Sequence, residues 1–178
     1  VKGHRMRSVD QGEIGEICIK GPTVISSYDK DAAPNSFSGG WFRTGYLGFQ
    51  DSEGYIHITG RIKDIINRGG ENISPREIEE VLLAHPSIED VAVVGQPDPI
   101  YGEQVAAFVV LHNSVKSDKR IIKLLQEFAA TKLSLEKIPT KVYLLPSLPR
   151  SSTGKVDKKL LRDYKTPARE FSTISVRQ

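Results

Sequence analysis

The sequence predicts an α+β chain, strand-rich over its first sixty residues and mixed strand and helix after that. Three observations carry this expectation. "GEIGEICIKG" alternates apolar and polar residues between glycines, as a half-buried strand does. Ser74, Pro75 and Glu77 form a helix start, with Ser at the cap, Pro at the first helical position and Glu three residues after the cap. "DVAVVG" and "EQVAAFVVL" are apolar runs of the length a sheet buries on both faces.

Taken in order, "GGWFRTGYLGFQDSEGYIHITG" has glycines at expected turn positions and "YIHIT" as a β-rich run. "RIKDIINRGGENIS" reads as two short strands around Gly69 and Gly70. The helix opened by Ser74 shows one apolar face of Ile78, Val81 and Leu82, and stops at His85-Pro86. The turn-rich "QPDPIYG" separates the two buried strands. A second helix is expected from near Ser117, with Ile121, Leu124, Leu125 and Phe128 on its buried side. "KVYLL" is a last strand, and "DKKLLRDY" a short amphipathic helix.

The expected domains are a β-rich segment, 1–62, with too little core to stand alone; a compact α+β unit, 63–165; and a tail, 166–178. The chain opens on Val1 rather than Met, so a preceding segment is expected, and any targeting signal would lie in it.

Bulk composition narrows the function classes. The chain has 178 residues, 25 basic and 22 acidic, and a net charge of +3. That charge is too mild to indicate nucleic acid. No apolar run is long enough to span a bilayer. The lone Cys18 excludes an internal disulfide framework. The closing "VRQ" is not a peroxisomal tripeptide, and the cytoplasm is the expected compartment. The four histidines have no metal-binding spacing, so no metal site is expected within the chain.

"RSSTGKVDKK", Arg150 to Lys159, poses the chemical question. Its Gly-Lys looks like the end of a phosphate-binding loop. No glycine leads the run, and Val156 stands where Ser or Thr would hold magnesium. Lys155 therefore sits on a small, mobile-looking loop with some other task.

Three segments in this order resemble the adenylate-forming enzymes: "GWFRTGYLG", "GRIKDIINRGGENISPREIEEVL" and "PRSSTGKVDKKLL". These enzymes include acyl-CoA synthetases, peptide-synthetase adenylation domains and luciferases. The resemblance implies the end of a large N-terminal domain, a hinge, and a small C-terminal domain that closes over the large one in two orientations. It implies that Lys155 contacts the substrate carboxylate and the α-phosphate of ATP during adenylation. A carboxylate attacking a phosphoryl group brings negative charge onto negative charge, and an ammonium between them acts where that charge builds.

By the same resemblance, Arg61 contacts the nucleotide; the bland alternative is a surface salt bridge with Glu71 or Asp64. Lys63 takes the hinge position, with Asp64 its neighbouring candidate. Gly69, Gly70 and Glu71 take the place of a hairpin lining the pantetheine tunnel; a plain type I′ turn would also favour Gly-Gly. One departure stands out. The family's Asp, which accepts from the ribose hydroxyls, is replaced by Tyr46. The alternative for Tyr46 is a ring packed beside Trp41 and Phe42.

Within the family the pattern is closest to acyl- and aryl-CoA ligases. The implied substrates are ATP, coenzyme A and a small carboxylic acid. Magnesium is expected to enter with ATP, on a ligand outside this chain. The rival readings are a non-catalytic binding module and an adenylation domain that loads a carrier protein.

Overall fold

The computed structural model describes residues 6–27 and 36–165; the tail expected at 166–178 lies outside the described residues. The chain divides into two compact units, Val1–Lys63 and Asp64–Gln178.

The first unit is a four-stranded antiparallel sheet of β1 (Gly15–Ile19), β2 (Phe37–Ser38), β3 (Trp41–Gln50) and β4 (Ile56–Arg61). β3 is central and pairs with the other three. Its length corrects the sequence expectation: Gly45 and Gly48 lie inside the strand rather than at turns. Gly48 is there because of close approach, since a Cβ at that position would sit 2.5 Å from the His57 carbonyl oxygen. Only a residue with no side chain lets β4 come that close.

The second unit is built on a five-stranded sheet. A 3-10 turn (Ile62–Asp64) leads to the hairpin of β5 (Ile66–Arg68) and β6 (Glu71–Ile73). Helix α1 (Pro75–Leu83) follows, with Ser74 at its cap and Pro75 opening it as expected. The expected capping box does not form. Ser74 makes no side-chain capping bond, and the Glu77 carboxylate turns to the Lys137 ammonium at 2.7 Å. The long strands β7 (Ile88–Asp98) and β8 (Gly102–Leu111) form an antiparallel ribbon. After α2 (Lys119–Ala130), β9 (Lys141–Leu144) joins β8 in parallel. The chain then runs to α3 (Lys158–Arg162).

The ribbon alternates strictly between two cores. Val91, Val93, Val105, Ala107 and Val109 face one cluster with Ile78 and Leu82 of α1 and Ile121, Ile122 and Leu125 of α2. Ala92, Val94, Ala106, Phe108 and Val110 face a second with Leu148 and Leu161. Period-two alternation explains why these runs are apolar throughout. In the second cluster Phe108 stacks on Tyr143 at 4.7 Å and meets Tyr164 edge-on at 5.3 Å.

Two local expectations change. α2 begins close to where it was expected, capped by Asp118, whose carboxylate accepts from the amides of Arg120 and Ile121. Its buried face keeps Ile121 and Leu125 but is centred toward Ile122 and Ala129, which leaves Leu124 at the exposed edge. β7 also continues through Gln96, Pro97 and Asp98, so the turn is shorter than "QPDPIYG". β7 lies at a sheet edge, where a proline that cannot donate is tolerated.

That turn is held by Asp98, whose carboxylate accepts from the backbone N–H groups of Ile100 and Tyr101, each at 2.9 Å. The Tyr101 bond, then the Ile100 bond, holds the Asp98 carboxyl below its ordinary range. A lowered folded value means the stabilisation is complete above the unfolded pKa of about 3.9 and is lost as pH falls through the folded one. The amide shifts of Ile100 and Tyr101 should therefore titrate together, with a midpoint below about 3.9. A midpoint at or above that value would show the bonds do not favour the carboxylate.

Among the described residues no helix is long and apolar enough to cross a membrane.

Candidate active site

The residues singled out in the sequence divide between the units. Tyr46, Arg61 and Lys63 belong to the first; Asp64, Gly69, Gly70, Glu71 and Lys155 belong to the second.

In the first unit the β3–β4 register places Tyr46 directly opposite Arg61. The Arg61 guanidinium lies 4.9 Å from the centre of the Tyr46 ring. This is a cation–π contact. In the second unit Asp64 pairs with Arg162 at 3.1 Å. Near Tyr46 in the chain, Phe42 packs on Phe37 and Trp41 lies under the Lys20 ammonium. Local bonds fix the backbone that carries Tyr46. Thr44 Oγ1 donates to the Ile17 carbonyl and accepts from the Tyr46 N–H. Glu16 accepts from the Gly45 N–H and pairs with Arg43.

The 3-10 turn Ile62–Asp64 spans the point where the two units meet in sequence. Lys63 is exposed there, and Asp64 is half-buried.

Gly69 and Gly70 form a two-residue turn between Arg68 and Glu71, with φ of 61° and 95°. Positive φ at both central residues is the type I′ requirement. The Gly70 N–H donates to Asn67 Oδ1, and a Cβ on Gly70 would meet nothing within 4 Å. The turn therefore needs glycine for its backbone, while the space beyond Gly70 is open on this unit. Glu71 is exposed beside it. The hairpin is tied to the β7–β8 turn. The Gly69 N–H donates to the Tyr101 carbonyl at 2.8 Å, and the Arg68 guanidinium lies 4.6 Å from the Tyr101 ring centre. Glu103 adds a bond from the Asn67 N–H at 2.7 Å. Tyr101 and Arg68 had no local signal in the sequence, because the contact joins positions more than thirty residues apart.

Lys155 sits on a small hairpin, not a loose loop. Arg150 and Val156 bridge at its base. Inside it, the Ser151 N–H donates to the Lys155 carbonyl and the Gly154 N–H to the Ser151 carbonyl. The mobile-looking loop is thus corrected, since its small residues serve a tight turn closed by Gly154 at φ 80°. The Lys155 side chain is exposed and pairs with no side chain among the described residues. Its neighbour Lys158, by contrast, is held by Glu79 at 2.7 Å.

The two glycine-closed hairpins occupy opposite ends of the β7–β8 ribbon. The Gly69–Gly70 turn bonds beside Asp98 and Tyr101, and the Lys155 hairpin is held at Asp90 through Arg150 at 2.6 Å. Eight residues of strand separate Asp90 from Asp98, or roughly 25 Å at about 3.3 Å per residue. Among the described residues no group of three or more His, Cys, Asp or Glu could hold a metal.

Residues 77–155 match the family described as AMP-binding enzyme C-terminal domain, and the chain is similar to the C-terminal portion of CoA ligases and other adenylate-forming enzymes. It is 40% identical over 167 residues to the sulfoacetate–CoA ligase of Cupriavidus necator, a match covering 92% of this chain and 32% of that protein. It superimposes on ATP-bound MatB from Rhodopseudomonas palustris with a TM-score of 0.80 at 37% identity, over 87% of this chain and 31% of the other. Against the o-succinylbenzoate CoA synthetase of Bacillus subtilis, solved with its acyl-adenylate, the TM-score is 0.77 at 38% identity, over 88% and 32%. The chain thus spans about a third of the length of the relatives it matches.

Proposed function

We propose that this chain is the C-terminal part of an ATP-dependent acid–CoA ligase. The complete enzyme joins a carboxylate to ATP, giving acyl-adenylate and pyrophosphate. The thiol of coenzyme A then attacks the acyl carbon, giving the thioester and AMP. The observation that carries the reading is the separation of two differently built hairpins to opposite ends of one ribbon. One end presents an exposed cation and the other bare backbone, so one domain can serve two chemically different steps in turn.

At the first end, the Lys155 ammonium lies between the attacking carboxylate oxygen and the α-phosphate and offsets their repulsion as the bond forms. At the second, Gly69 and Gly70 admit the thin pantetheine arm against main chain, beside Glu71. Lys63 and Asp64 are the hinge, where a few torsions absorb the rotation. In this reading 1–62 closes the larger domain, 63–165 is the moving one, and Tyr46 and Arg61 address the nucleotide. Magnesium would arrive with ATP, on a ligand outside this chain. Two of the relatives are named for sulfoacetate and o-succinylbenzoate, acids alike in little beyond the carboxylate. That supports a shared role in carboxylate activation, with the acid selected elsewhere.

The test is acid-dependent ATP–pyrophosphate exchange by the full-length protein across a panel of carboxylic acids, followed by detection of the CoA thioester. Exchange with no thioester for any active acid would overturn coenzyme A as acceptor. No exchange with any acid would overturn the ligase reading.

Tyr46 gives a narrower prediction. A carboxylate at this position can accept from both ribose hydroxyls, at about 1.5–3 kcal/mol per charge-assisted bond. Desolvation and pairing with Arg61 offset part of this, leaving about 2 kcal/mol, or roughly 30-fold. Tyr46→Asp in the full-length protein should therefore tighten ATP binding by about that factor. The melting temperature should hold, because the new charge faces the Arg61 guanidinium. Calorimetric titration with ATP checks the first point and a thermal melt the second. Unimproved binding would remove position 46 from the nucleotide site.

A further inference from the structure

The Lys155 side chain has no partner among the described residues, yet the turn that carries it is held by backbone and side-chain bonds. The residue that does most of this is Arg150. One guanidinium nitrogen donates to the carbonyl of Gly154, immediately before Lys155, at 2.9 Å. Another donates to Asp90 Oδ2 at 2.6 Å. Asp90 is fixed in turn, its second oxygen accepting from the Val91 N–H at 2.9 Å. The Arg150 backbone also forms the base of the hairpin, opposite Val156. One side chain therefore fastens the turn that carries the lysine to the first residues of β7, sixty positions earlier in sequence. An arginine suits the task, because its planar fork reaches two acceptors at once where a lysine offers a single point.

We infer that Arg150, anchored by Asp90, is a positioning residue for Lys155, holding the ammonium at the height and direction the adenylation step needs. This rests on the reading of Lys155 proposed above. A lysine on a long stem is a useful electrostatic group only if its root does not wander, and small misplacements of a catalytic group can cost about 100-fold in rate. The strap is half-exposed, with Arg150 at 49% and Asp90 at 33% side-chain exposure. Its loss should therefore disturb aim more than stability.

The experiment is a double-mutant cycle on the full-length enzyme, read in both half-reactions. Arg150→Gln and Asp90→Asn should each lower adenylation by roughly 10- to 100-fold. Thioester formation from supplied acyl-adenylate should stay within about twofold, because that step does not use Lys155. The distinguishing arm is the Lys155→Ala background. If Arg150 acts through the lysine, Arg150→Gln should have no further effect on adenylation there, since residues acting as a unit are strongly non-additive. An undiminished effect in that background would mean that Arg150 meets the substrate itself, and would overturn the inference. Equal losses in both half-reactions would reduce the strap to a structural role and overturn it too. If Lys155→Ala costs adenylation and Arg150→Gln does not, this inference alone falls. If Lys155→Ala costs nothing, the reading of Lys155 falls with it.

Discussion

Replacing Lys155 by alanine in the full-length ligase should cut adenylation by roughly 100- to 1000-fold, a loss of about 3–4 kcal/mol of transition-state stabilisation. It should leave thioester formation from supplied acyl-adenylate nearly intact. The asymmetry follows from position. Lys155 lies at the Asp90 end of the β7–β8 ribbon, and the Gly69–Gly70 hairpin is bonded at the Tyr101 end. A cation serving one end has no charge to stabilise while the other end is in use. Stability should not change, because the side chain is exposed and no bond of the hairpin passes through it. Single-turnover kinetics of each half-reaction, with a thermal melt as control, make the measurement. Equal losses in both halves would make Lys155 a structural residue.

The second large effect is expected at Gly70, and the structure dictates how it must be tested. Gly70 has φ 95°, so any other residue is strained there by about 1–2 kcal/mol regardless of its size. Gly70→Leu alone would therefore confuse strain with obstruction. Gly70→Ala carries the strain and almost none of the bulk. Nothing on this unit lies within 4 Å of a Cβ at that position, so the side chain starts out into open space. If pantetheine passes this turn, Gly70→Leu should slow the thiol step by at least about 100-fold relative to Gly70→Ala. Acyl-adenylate should still form in both. Indistinguishable thiol steps in the two variants would take Gly70 out of the tunnel.

The two experiments are complementary, since each removes one end of the same domain and leaves the other as internal control. A general loss of fold would depress both half-reactions in both variants. The opposite patterns expected here are hard to obtain from anything but two separate working ends.

By itself the sequence determined the α+β class, the α1 start at Ser74-Pro75, the turn at Gly69-Gly70 and the family. It could do so because each depends on residues that are close in the chain: a proline at the first helical position, adjacent glycines at positive φ, a contiguous motif. The tertiary structure decided what depended on partners far away. Gly48 read as a turn residue because nothing nearby announces the His57 carbonyl that presses on it. Leu124 read as core because it lies beside Ile121 and Phe128 on the helix surface, but at about 100° per residue the face that packs is the other side of that stripe, through Ile122, Leu125 and Ala129. Tyr46 and Arg61 meet through the β3–β4 register, which their sequence separation does not disclose. The residues around Lys155 look loose because they are small. The bonds that make them a rigid turn close in three dimensions, through the Arg150 guanidinium and a carboxylate on β7.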